Sequence, residues 1–66
     1  MRYRLDHFFG NLQIKVGRLR MSMKAFMNEI GVSYPRLNYW RAGQPTLLEV
    51  VCICEYLGCT LEDLCK

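Results

Sequence analysis

SMKAFMNEIGVSYPRLNYWRAG, residues 22 to 43, carries two start signals for short helices and a stop between them. Ser22 and Ser33 each precede an apolar-periodic run, where a hydroxyl can accept a hydrogen bond from an otherwise unpaired N–H of the first turn. Phe26, Met27 and Ile30 recur at helical spacing in the first run, and Leu37 and Trp40 do so in the second. Each helix therefore has one apolar and one wet face. Gly31 between them can take the left-handed backbone that ends a helix, and Val32 offers an apolar plug for the angle that follows. Two short helices set around such a turn form a helix-turn-helix.

Upstream, Asp6 is placed as an N-cap, and Phe8, Leu12, Val16 and Leu19 fall on one face of a helix ending near Arg20. Gly10 and Gly17 oppose it, each by roughly 1 kcal/mol relative to Ala. The run from Leu12 to Val16 also alternates in the period of a strand. A lone five-residue strand would have no partner, so a helix is expected. It begins either at Asp6 or at Asn11, and the second start leaves His7, Phe8 and Phe9 as an extended flap. Residues 1–5 form a basic lead-in expected to be poorly ordered. His7 has no companion ligand and is read as a surface or capping residue. Met21, Met23 and Met27 are read as adaptable core filling rather than as soft metal ligands.

Downstream, Pro45 disfavours helix at Gln44. Thr46 followed by Glu49 makes a capping box for a helix that runs to about Leu57, with Leu47, Val50, Val51, Cys54 and Leu57 as its apolar face and Gly58 at its end. Thr60 caps a last short helix, Leu61 to Cys65, with Asp63 repeating the box. The expectation is an all-α, compact four-to-five-helix bundle forming a single domain over residues 1–66, without internal repeat or linker.

At 66 residues the chain lies near the lower edge of what one hydrophobic core can stabilise. Its apolar fraction of 52% argues against disorder. No apolar run approaches the ~20 residues of a membrane span, and no signal-peptide pattern appears, so a cytoplasmic protein with no membrane association is expected. Charge is unevenly placed. Residues 1–41 carry eight Lys/Arg against Asp6 and Glu29, whereas residues 42–66 carry Lys66 against Glu49, Glu55, Glu62 and Asp63. A basic half that contains the helix-turn-helix suits a domain that offers one face to a polyanion.

No Ser/His/Asp, Cys/His or paired-carboxylate set occurs at useful spacing, so no catalytic residue and no cofactor are expected. Cys52, Cys54, Cys59 and Cys65 lack the C-x2-C pairs of zinc sites. Cys52 and Cys54 would point about 200° apart on a helix, so no metal site is expected. Cys54 and Cys59 are read as small buried apolar residues in a reducing cytosol. Cys52, four residues after Leu48, lies with it on the side of their helix that should be wet, and Val51 borders both, which suggests a partner surface. A weak homodimer through Leu48, Val51, Cys52 and Cys65 is expected.

From about Ile14 to Leu64 the chain resembles the XRE family of phage repressors, Cro proteins and their bacterial relatives. The residues that carry the resemblance are Ser22, Phe26, Ile30-Gly31-Val32-Ser33, Leu37, Trp40, Gly43, Pro45-Thr46-Leu47 and Leu57-Gly58-Cys59-Thr60-Leu61-Glu62-Asp63-Leu64. The resemblance implies a lambda-repressor-like domain whose segment from Ser33 to Arg41 is a recognition helix laid in the DNA major groove. It implies base-reading positions at Tyr34, Pro35 and Tyr39, with Ser33 and Arg36 close by. The chain departs from the family at Met23, where Gln usually grips a phosphate, at Met27, where Ala is common, and at Arg41, where Glu is common.

Read without the family, a helix with Leu37 and Trp40 inward turns Pro35, Tyr39 and Ala42 outward, flanked by Asn38 and Arg36. Arg can bond guanine bidentately, Asn can bond adenine, and Tyr can bond a phosphate or pack on a thymine methyl. The expected DNA-binding set also takes in Ser22, Met23, Lys24, Arg18 and Arg20. Together these features point to a sequence-specific transcriptional regulator, a repressor of phage or bacterial type, on a double-stranded DNA operator in a bacterial or phage-infected cell. Tyr and Arg are also enriched at protein interfaces. The alternative is therefore a protein-binding module, antitoxin-like or an anti-repressor, with a protein partner on the same fold.

Overall fold

The computed structural model describes residues 7–66, and every element in it is helical. The Asp6 cap and the lead-in over residues 1–5 lie outside the described residues. Helix α1 spans Phe8–Arg18, α2 Met23–Glu29, α3 Leu37–Arg41, α4 Leu47–Leu57 and α5 Leu61–Cys65, with a 3-10 turn over Tyr34–Arg36 leading into α3.

The first helix starts ahead of the later alternative, Asn11, so Phe8 and Phe9 are helical and no extended flap forms. Phe8, Leu12 and Val16, four residues apart, are its fully buried stripe. Leu19 does not continue that stripe. The helix has ended by then, and Leu19 is exposed at the C-cap. Arg20 follows at φ 59, its N–H donating to Gly17 O at 3.0 Å, while the N–H of Met21 donates to Val16 O at 3.4 Å. These two bonds make a Schellman closure with arginine in the left-handed position usually given to glycine. The same closure ends α2 through Gly31 at φ 75, where the Val32 N–H donates to Met27 O at 2.9 Å and so fixes the turn of the helix-turn-helix.

Ser22 caps α2 as expected, its Oγ accepting from Ala25 N at 3.1 Å. Ser33 does not cap the next element with its side chain. Pro35 has no N–H to offer it, and the Arg36 N–H already donates to the Ser33 carbonyl at 3.1 Å. The recognition segment is therefore not one continuous α-helix. Its first turn is tightened to 3-10 and only Leu37–Arg41 is α-helical.

Capping boxes open α4 and α5, with Glu49 answering Thr46 and Asp63 answering Thr60. The inward face of α4 differs from the expected one. Leu47 and Val51 are exposed, and Ile53 with the acid-bearing Glu49 takes the interior, while Val50, Cys54 and Leu57 are half-buried. The 49, 53, 57 series runs at i+4, so the helix packs along the row that begins with its capping carboxylate. The core gathers Phe8, Leu12, Val16, Phe26, Met27, Leu37, Trp40, Ile53 and Leu64. Tyr56 closes it edge-on to Phe26, ring centroids 5.3 Å apart. Asn11 Nδ2 donates to Leu64 O at 2.8 Å and ties α1 to α5. His7 Nδ1 lies 2.9 Å from the Lys66 backbone oxygen.

Candidate nucleic-acid interface

Leu37 and Trp40 are buried, as their spacing demands, and they fix which side of the recognition segment faces out. On that outer side Ser33, Tyr34, Pro35, Asn38 and Tyr39 are exposed, the two tyrosines by 46% and 51%. Lys24 reaches across from α2, its Nζ 5.7 Å from the centroid of the Tyr34 ring. Ser22, Lys24, Asn28, Ser33 and Tyr34 border a cleft of ≈ 490 Å³ between α2 and the segment. The helix-turn-helix thus brings Ser22 and Lys24 of the first helix together with Ser33 and Tyr34 of the recognition segment. Arg18 is grouped elsewhere, bordering a depression with Lys15, Leu19 and Leu57. Arg20 is exposed at the end of α1. Met23, expected both as core filling and in the DNA-binding set, is half-buried and packs against the core.

Arg36 is the main correction. It does not project as a free cation. Its Nε donates to Glu49 Oε2 at 2.8 Å and its Nη2 donates to Oε1 at 2.9 Å, a bidentate pair. The guanidinium also lies over the Tyr39 ring, 4.3 Å from its centroid. Glu49, only 8% exposed, receives a third bond from the Thr46 N–H at 2.8 Å. The Arg36 bonds, and then the Thr46 N–H, hold its carboxyl down at about 2. The same bonds raise Arg36 above the usual guanidinium value. The Trp40 indole adds to the stabilisation of the carboxylate, but its Nε1–H falls short of hydrogen-bond geometry and is buried without a partner. It acts on Glu49 as a nearby dipole rather than as a bonded donor.

The sequence read Glu49 as a cap alone. The missed signal is geometric: a capping-box carboxylate points back over the N-terminus of its helix, and here the 3-10 turn that carries Arg36 lies within its reach. Arg41, at the far end of that segment, lies 5.7 Å from the centroid of the Phe9 ring on α1.

Among the residues expected at a dimer surface, Leu48 is 72% exposed, Val51 is exposed and Cys52 is half-buried. Leu47, 80% exposed, adjoins them. Cys65 does not belong with them. It is 1% exposed, on the face of α5 that packs into the domain, and burial pushes its thiol pKa up. Cys54 is raised for the same first reason and beside Cys59. Among the described residues no group of three or more His, Cys, Asp or Glu is arranged to hold a metal ion, and no helix is long and apolar enough to cross a membrane.

A family model, the Cro/C1-type HTH DNA-binding domain, matches residues 11–66 and so spans α2, the turn, the recognition segment and both capping boxes. None of the curated proteins and none of the solved structures compared with the chain matches it.

Proposed function

The chain belongs to the Cro/C1-type helix-turn-helix DNA-binding family, and from that premise we propose that it is a transcriptional repressor of phage or bacterial type that acts by occupying an operator. The recognition segment, Ser33 to Arg41, enters the major groove with Tyr34, Pro35, Asn38 and Tyr39 leading. The phosphates on either side are held by Ser22 and Lys24, with Arg18 and Arg20 reaching the flanking backbone. Its role is binding rather than catalysis, and it is exerted in the cytoplasm. The observation that carries this reading is the pairing of buried Leu37 and Trp40 with an exposed row of recognition residues on the opposite side.

Two copies acting together would set their recognition segments about one DNA turn, ~34 Å, apart. Selection from a random duplex library at moderate salt is expected to recover a palindromic site. Recovery of only sequence-independent binding that falls steeply with salt is the result that overturns the operator reading. A second reading draws on the exposed Leu47, Leu48 and Val51: the chain as a protein-binding module, antitoxin-like or an anti-repressor, that takes a partner protein along α4. Co-purification of a stoichiometric protein complex that excludes DNA would favour it.

A further inference from the structure

Guanine offers the major groove two acceptors, O6 and N7, and is read by a cation with paired donors. The recognition segment holds two residues of that kind: Arg41, at its far end, is drawn toward α1, 5.7 Å from the centroid of the Phe9 ring, and Arg36 is occupied. Arg36 gives two charge-assisted bonds to Glu49 at 2.8 and 2.9 Å. To reach a base it would have to leave a carboxylate that is 8% exposed without its counter-charge, a change that strongly disfavours the move. What remains outward is two phenol rings, a pyrrolidine, one amide and one hydroxyl: Tyr34, Tyr39, Pro35, Asn38 and Ser33, whose hydroxyl can bond any base and so selects none. Lys24 projects from α2 over Tyr34 at the border of the cleft.

We propose that this segment reads A·T pairs, Tyr39 and Pro35 packing on thymine 5-methyl groups and Asn38 bonding adenine, with no guanine read by the segment. The proposal rests on the operator reading above. Its chemistry follows from what each base presents. The face of a phenol ring or a pyrrolidine laid over O6 and N7 strips them of water and, because the phenol O–H lies at the ring's edge, returns no donor, which is costly. Laid over a methyl group, the same surface buries two apolar groups together. An amide matches adenine's N6 donor and N7 acceptor, which belong to the same base pair as the thymine methyl. The Arg36 guanidinium, itself clamped by Glu49, lies 4.3 Å from the Tyr39 ring centroid and fixes that ring before DNA arrives. A ring held in place loses little rotamer freedom on binding.

The test uses the full chain and duplexes selected from a random library. Thymines under the recognition segment are replaced singly by 2′-deoxyuridine, which deletes the methyl and keeps the pairing. Affinity should fall about fourfold for each contacted methyl. The loss should persist in Tyr39→Phe, which keeps the ring, and vanish at the corresponding thymine in Tyr39→Ala, with circular dichroism confirming that both variants are folded. Selected sites with a fixed guanine under the segment, sensitive to 7-deazaguanine, would overturn the proposal. Tolerance of deoxyuridine at every thymine would do the same. A selection that enriches no sequence at all would overturn the operator reading itself, and this inference with it.

Discussion

Arg20 stands where the chain leaves α1 in the left-handed region, at φ 59, and it is the only described residue other than glycine with positive φ. For an L-residue that conformation costs roughly 1–2 kcal/mol, and Gly31, Gly43 and Gly58 occupy the corresponding region at φ 75, 74 and 64. A strained position held by a long cation is best explained by what the side chain does outside the domain. Arg20→Gly should therefore stabilise the fold by about 0.5–1 kcal/mol, read as a higher urea midpoint with an unchanged slope. It should also weaken DNA binding and flatten the dependence of log affinity on log salt by about one phosphate contact. Stabilisation without any change in that salt slope would remove Arg20 from the DNA-contacting set.

At the scale of elements, Glu49 joins two of them with one carboxylate. It caps α4 through the Thr46 N–H and holds Arg36 at the end of the 3-10 turn. Because its folded pKa lies near 2, below the ordinary Glu value of about 4.3, the ionised form stabilises the native state. That contribution is present in full above about pH 5 and is lost as pH falls toward 2, where the folded carboxyl also takes up a proton. Its size is on the order of 2 kcal/mol, after a discount for the partly exposed guanidinium. Thermal melts from pH 7 to pH 2 should show this loss in the wild type, and Glu49→Gln should start lower and be flatter across the same window. A residual slope is expected from Asp63, whose bonds from the Thr60 backbone also lower its pKa. If Glu49→Gln leaves both stability and slope unchanged, the tie between α4 and the recognition segment contributes nothing.

The same pair marks where sequence reading stops. Caps were legible because their chemistry is local: Ser22, Thr46 and Thr60 each bond a backbone N–H three residues on. The all-helical fold, the turn at Gly31 and the inward Leu37 and Trp40 followed from periodicity and one left-handed backbone position. Arg36 was misplaced because its partner lies thirteen residues away across a turn whose geometry the spacing alone does not give. Cys65 and Leu47 were misplaced for a related reason. Periodicity finds an apolar stripe on a helix, but on α4 nearly every position is apolar enough to qualify, and on α5 Leu61, Leu64 and Cys65 all do, so only the seating of each helix on the core decides which ones are buried.

At the scale of the molecule, that surplus of apolar residues has a location. Leu47, Leu48 and Val51 are exposed together on the first two turns of α4, in the acidic half of the chain. A small domain that leaves two leucines 80% and 72% exposed gains little from them as a monomer. Buried against a second copy across a two-fold axis, they would meet themselves, which is the geometry a self-complementary apolar patch favours. Linking two recognition segments in this way makes the second half-site contact intramolecular and raises affinity about 10²–10⁴-fold without any new protein–DNA contact. Leu48→Glu tests the arrangement cleanly, because the side chain touches little in its own subunit. Its thermal midpoint should stay close to that of the wild type, sedimentation should shift from dimer to monomer, and affinity for a palindrome should fall by about a hundredfold or more while affinity for a single half-site is unchanged. A wild-type chain that sediments as a monomer at tens of micromolar, with Leu48→Glu binding the palindrome equally well, would leave this apolar patch to a different partner.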